Sequence, residues 1–133
     1  MLMRALKVGG GGSSATLLWS NPDTSSSPKL ASGTLTISGL ENYDFILFEM
    51  YDETDYGSNN IGYTGFPLSD LSTQRAVGWT SKQPNYVYVS YRLVQHTATN
   101  ELTISTGHYF RASSSDATST GYAPFTKIYG INL

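Results

Sequence analysis

The stretch "YVYVSYRLVQHTATNELTIS", residues 86–105, decides the fold. Its first ten residues are dominated by Tyr and Val, side chains that suit a pleated, half-buried surface. The polar "TATN" (97–100) then reverses the chain, and "ELTIS" (101–105) returns with alternating apolar positions. That pattern predicts an antiparallel hairpin. On the long arm Val87, Val89, Tyr91 and Leu93 form one apolar face, and Tyr86, Tyr88 and Val94 lie on the other, interrupted by Ser90 and Arg92. An antiparallel sheet ordinarily turns one face to the core and the other to water. A ribbon with apolar residues on both faces needs a second covering.

The stretch "YDFILFEMY" (43–51) repeats the feature, with Phe45 and Leu47 on one side and Ile46, Phe48 and Met50 on the other. Paired apolar faces of this kind mark interfaces, and they predict a homo-oligomer in which Phe45, Leu47, Tyr86 and Tyr88 meet another copy of the chain. Further strands are predicted at "TLLW" (16–19), "GTLTISG" (33–39), "QRAVGWT" (74–80) and "TKIYGI" (126–131). The first stops at Asn21-Pro22, because Pro22 cannot donate to a ladder and restricts the residue before it. No window carries a capped helical stripe. The fold class is therefore all-β, an antiparallel β-sandwich, jelly-roll-like, with about seven to nine short strands.

Residues 1–14 read as a flexible linker or a tag-like segment, since "MLMRALKV" runs into "GGGGSS", which behaves as flexible coil. Residues 15–133 read as a single β-sandwich domain. Arg4 and Lys7 interrupt the opening apolar stretch before four glycines follow it, so no signal peptide is expected. The chain of 133 residues has no cysteine, so disulfides, thiolate metal sites and a cysteine nucleophile are excluded. Its eight basic residues are scattered and the formal net charge is −2, which argues against a nucleic-acid partner. The run "FILF" (45–48) is far too short to cross a membrane as a helix.

Motifs for catalysis are missing. His96 and His108 show no metal-ligand spacing, and there is neither a G-x-S-x-G elbow nor a P-loop. No catalytic residue, cofactor or metal is expected. The stretch "EMYDETDYGSNN" (49–60) gathers Glu49, Asp52, Glu53 and Asp55, and reads as a solvated loop in preference to a calcium site. A carboxylate pair for glycoside hydrolysis is a lesser alternative. Sugar binding is better motivated, because Tyr and Trp rings offer flat apolar faces and Asn, Asp, Ser and Gln reach hydroxyls. The loops expected at 54–65 and 108–122 supply Tyr56, Asn59, Asn60, Tyr63, Tyr109, Arg111 and Tyr122 as candidate ligand contacts.

Three stretches carry a resemblance. "ATLLWSNPDTSSS" (15–27), "TISGLENYDFILFEMY" (36–51) and the closing "PFTKIYGINL" (124–133) together look like a family of small phage and prophage virion proteins and fibre ends. That family opens with L-W-[TS]-N-P, continues through an L-x-x-Y-D strand and ends in K-I-Y-G-I. The likeness is specific at the chain's two ends and at Tyr43-Asp44, while 52–122 matches in character alone. It implies a tail-fibre or receptor-binding C-terminal domain, a virion part assembled in the host cytoplasm. Such a part is commonly trimeric, contacts other virion proteins, and attaches to a host surface polysaccharide. A purely structural virion piece (baseplate, head fibre or decoration) and a polysaccharide-degrading enzyme are the alternatives.

Overall fold

The computed structural model describes residues 14–25, 28–53, 59–83, 86–111, 118–120 and 125–133. Their strands are β1 (Ala15–Ser20), β2 (Gly33–Thr36), β3 (Phe45–Glu53), β4 (Asn59–Pro67), β5 (Arg75–Gln83), β6 (Tyr86–Ala98), β7 (Glu101–Ile104), β8 (Gly107–Arg111), β9 (Thr118–Thr120) and β10 (Phe125–Ile131). Short 3-10 turns lie at Leu40–Asn42 and Leu68–Ser72. The strands form a four-stranded sheet, β1-β10-β3-β4, and a six-stranded sheet built on β6, with every pairing antiparallel. This is the all-β sandwich that the patterning predicts.

Register explains how β6 organises its sheet. Both β5 and β8 pair with residues 88–91 of β6, and both β5 and β7 pair with Val94. A strand has two edges, so β7 and β8 share one and β5 takes the other. β7 and β8 are thus a single return strand, interrupted at Ser105-Thr106. From Val94 to Tyr91 the chain takes three steps, while the return from Ile104 to His108 takes four, the signature of a bulge. Ser105 fills the gap: its N–H donates to the Leu93 carbonyl at 2.9 Å, and its hydroxyl accepts from the Leu93 N–H at 2.8 Å. The hairpin expected over 86–105 is present, with β6 running on to Ala98 and a tighter turn at residues 99–100, where Asn100 adopts φ 59°.

The core lies between the sheets. β3 contributes Ile46, Phe48 and Met50, β10 contributes Phe125 and Ile128, and Val77, Val94, Leu102 and Ile104 face them from the other sheet. The Phe48 and Phe125 rings pack with centroids 5.0 Å apart. Alternation of β3 therefore reads correctly: its even-numbered residues are the inner ones.

At residues 91–94 of β6 it is the face interrupted by Arg92, not the fuller apolar one, that turns inward. Arg92 and Val94 are fully buried, and Tyr91 and Leu93 only partly so. Val94 sits opposite the buried Ile104, which fixes the inward parity, and Arg92 shares it. The guanidinium is accommodated because Nη1 donates to the Ser105 carbonyl at 2.9 Å and Nη2 donates to the Leu30 carbonyl. On the opposite face Tyr91 stacks on His108 of β8, centroids 5.1 Å apart.

Asn21 organises the polar excursion after β1. It is buried, its Nδ2 donates to the carbonyls of Lys29 (3.1 Å) and Phe125 (3.0 Å), and its Oδ1 accepts from the Asp23 N–H at 2.9 Å. Asp23 in turn accepts from Ser25 and Lys29: the Ser25 hydroxyl, joined by the N–H groups of Ser25 and Lys29, holds its carboxyl below the usual range. An aspartate at 21 cannot donate to two carbonyls. Asn21→Asp is expected to lower the unfolding free energy by about 2 kcal/mol, the penalty for orphaned buried acceptors. Urea unfolding followed by tryptophan fluorescence checks this, and an unchanged midpoint would refute it.

The hairpin tip is tied down by a different set. Glu41 Oε1 accepts the Asn100 N–H at 2.7 Å and lies 2.8 Å from His96 Nε2, while Asn100 Oδ1 accepts the Gly39 N–H at 3.0 Å. These contacts seat the β6–β7 turn on the 3-10 turn at Leu40–Asn42.

Candidate interaction surface on the four-stranded sheet

Residues directly opposite each other in an antiparallel pair project to the same side. With the even residues of β3 inside, Phe45, Leu47 and Glu49 define the outer face. Register then sets Ile131 and Pro67 beside Phe45, Tyr129 and Gly65 beside Leu47, and Lys127 and Tyr63 beside Glu49. Leu17 of β1 extends the middle row, opposite Tyr129. Leu17, Ile61 and Tyr63 are 51%, 57% and 56% exposed, with Leu47 and Tyr129 half-buried between them.

Glu49 is the chemical centre of this face. It is only 6% exposed, and its carboxylate accepts from the Tyr63 hydroxyl (2.9 Å), the Thr126 hydroxyl (2.8 Å) and, at a longer 3.5 Å, the Tyr129 hydroxyl. Thr126 sits at the register shift between Phe125 and Lys127, which lets its hydroxyl also reach the Glu49 carbonyl at 3.3 Å. The bond to the Glu49 carboxylate, joined by burial, pushes the Tyr63 phenol above its ordinary pKa. Two tyrosines on different strands thus converge on one carboxylate.

Several expectations change here. Residues 54–65 are not one loop: Asn59–Pro67 is a strand paired along β3, and Glu49 is a buried strand residue instead of a member of a solvated acidic loop. Glycine and asparagine in "NNIGYTGFP" mask the strand in the sequence. At Gly65 the missing side chain has a purpose, since a Cβ there would fall 2.2 Å from the Phe45 ring. Residues 108–122 likewise include β8 and β9. Phe45 cannot serve as an exposed interface residue, because its own chain already buries it. Leu47 remains half-exposed on the outer face.

The candidate ligand contacts divide between the sheets. Asn59, Asn60 and Tyr63 belong to β4, opposite Glu53, Asp52 and Glu49. Tyr109 and Arg111 belong to β8 in the other sheet, opposite Ser90 and Tyr88 of β6, whose first residue is Tyr86. Tyr56 and Tyr122 lie outside the described residues. Tyr63 and Leu47, expected to serve a ligand and an interface respectively, are neighbours on one face. Glu49, which the sequence places in an acidic stretch, completes that face with Leu17, Ile61, Lys127 and Tyr129, which the sequence does not single out. The available signal was parity: Glu49 follows Phe45 and Leu47 at a spacing of two, and Lys127 and Tyr129 alternate in the same way. Among the described residues no group of His, Asp or Glu side chains is arranged to hold a metal ion. Nor is any described helix long and apolar enough to cross a membrane.

The class that fold and face define is an antiparallel β-sandwich with an exposed apolar and aromatic sheet surface. Compared with protein-family models, curated proteins and solved structures, the chain finds no match.

Proposed function

We propose that this chain is a non-catalytic attachment module, a phage tail-fibre or receptor-binding tip that self-associates and holds a host cell-surface polysaccharide. The observation that carries the reading is the outer side of the four-stranded sheet. Leu17, Ile61 and Tyr63 stay more than half exposed there, around the half-buried Leu47 and Tyr129. Adjacent exposed apolar residues with a polar member among them are how soluble proteins present a surface to a partner. A sheet is also a rigid support, so the surface is pre-formed and a partner bears little ordering cost. The resemblance at the chain's ends supplies the virion setting and the expectation of a trimer.

Two measurements on the full chain test this. Size-exclusion with light scattering at micromolar concentration is expected to report a multiple of the 14.5 kDa chain, three copies by the resemblance. Sedimentation with purified bacterial cell walls from a panel of hosts is expected to show retention on at least one. A stable 14.5 kDa species refutes self-association, and no retention on any wall refutes attachment.

A further inference from the structure

We propose that the cluster of Tyr129, Glu49 and Tyr63 is a carbohydrate subsite that takes a neutral pyranose ring, a placement that rests on the attachment reading. The three residues come from β10, β3 and β4, adjacent strands of one sheet, and share its outer face. Strands lie about 4.8 Å apart, so the three strands carry the cluster over about 10 Å of the sheet's width, enough for one sugar ring and its substituents.

The buried carboxylate is the observation that asks for a ligand. Removing a carboxylate from water is costly unless it is well partnered, and an apolar residue would continue the apolar face at lower cost. Among the described residues no Lys or Arg nitrogen forms an ion pair with Glu49; its bonds come from the hydroxyls of Tyr63, Thr126 and Tyr129. An ionised carboxylate offers about four acceptor positions. Three are engaged here, and the bond from Tyr129 is long at 3.5 Å. The fourth position, with the long Tyr129 bond beside it, is capacity for one further donor.

Tyr63 supplies the stacking surface. The residue is 56% exposed, yet its hydroxyl is tethered to Glu49 at 2.9 Å, which limits ring motion and presents one flat apolar face. Ile61, two residues before it on the same strand, and Leu47, on the neighbouring strand, extend the apolar floor against which sugar C–H groups pack. Lys127, exposed and directly opposite Glu49, adds a donor. One carboxylate and one ammonium leave the cluster without net charge. That balance complements a neutral polyol, which donates and accepts hydrogen bonds on one side and is apolar on the other. A polyanion would meet the Glu49 carboxylate.

The intact chain titrated with neutral hexose oligosaccharides (maltohexaose and mannohexaose), and with polygalacturonate as the anionic control, tests the placement by amide chemical shifts. The expected shifts cluster at residues 47–49, 61–65 and 126–129. Tyr63→Ala is expected to weaken binding to a neutral oligosaccharide, or to retaining cell walls, about tenfold or more, the loss of one stacked ring. Tyr63→Phe keeps the ring but releases it from Glu49, and should weaken binding less. Wall retention that Tyr63→Ala and Glu49→Gln leave unchanged would overturn this subsite while attachment stands. Absence of both oligosaccharide and wall binding would bring down the two readings together. Binding confined to polygalacturonate would overturn the neutral-sugar assignment. If Tyr63→Ala instead converts an oligomer to a monomer, the cluster belongs to a second copy of the chain and the subsite is refuted.

Discussion

Arg92→Ala is expected to cost about 4 kcal/mol, enough to leave a domain of ordinary stability partly unfolded at 37 °C. Arg92 is fully buried, and its guanidinium ties together two segments that no strand pairing joins: the chain before β2, through the Leu30 carbonyl, and the bulge between β7 and β8, through the Ser105 carbonyl. Burial pulls its pKa down to about 10, which still leaves it charged at neutral pH. Two effects add in the alanine variant. Deleting a large buried side chain leaves a cavity worth about 2–5 kcal/mol, and two carbonyls lose charge-assisted donors worth about 1.5–3 kcal/mol each before relaxation. Arg92→Met separates them, because it restores most of the buried stem without the donors. A buried cation carries its own desolvation cost, which both variants recover and which brings the alanine total down to about 4 kcal/mol. The expected loss of the methionine variant is smaller, about 2 kcal/mol. Urea denaturation of both variants gives the order. Arg92→Met at wild-type stability would show that the guanidinium contributes nothing net, and equal losses for the two would assign the whole effect to the donors.

The same residue shows where reading from sequence reaches its limit. The hairpin over 86–105 was legible because a run of β-formers, a polar reversal and an alternating return are local signals. The inner face of β6 was not, since majority hydrophobicity favours Val87, Val89, Tyr91 and Leu93, and an arginine ordinarily points to water. What places Arg92 inside is a pair of carbonyls, one 62 residues away at Leu30 and one made available by a bulge at Ser105. Neither leaves a local trace. In β3 no such partner intervenes, so simple alternation separates Ile46, Phe48 and Met50 from Phe45, Leu47 and Glu49 correctly.

The candidate surface was half-legible for related reasons. Leu47 stands out in the sequence as part of an apolar face beyond what one core needs, and Tyr63 as a tyrosine in a polar stretch suited to a sugar. Glu49 lies in an acidic run by proximity in sequence, and only its parity along the strand marks it as a member of the outer face. β4 was hidden by Gly62 and Gly65, which read as loop residues although Gly65 is small because the Phe45 ring crosses it. The three stretches that carry the family resemblance are also contiguous in space. β1 pairs with β10, Asn21 bonds the Phe125 carbonyl, and the Asp44 N–H donates to the Ile131 carbonyl at 3.2 Å. Their residues build one side of the sandwich, so a folding role accounts for them without reference to any ligand.

Gly130→Ala is expected to be the most damaging single-methyl change on that side, at about 3 kcal/mol. Gly130 lies in β10, between β1 and β3, where its backbone is paired on both edges and has no room to shift. The Tyr43 ring lies across it: a Cβ would meet Cγ, Cδ2 and Cδ1 at 2.4, 2.6 and 2.7 Å. These are the ring atoms nearest the tyrosine backbone, so rotating the distal ring gives no relief and the whole side chain must move. Tyr43 packs partly buried against the core, and its displacement would disturb the start of β3, where Asp44 is held by Ile131 and its carbonyl accepts the Leu68 N–H at 2.9 Å. The clash predicts strong coupling. Tyr43→Ala alone should be destabilising through lost packing, whereas Tyr43→Ala with Gly130→Ala should lose about 1.5–2 kcal/mol less than the sum of the two, because the methyl then occupies space the ring has left. Thermal and urea unfolding of the four proteins in the cycle measure that coupling. Additive losses would mean that the ring does not press on Gly130, and that glycine is needed there for the strand itself.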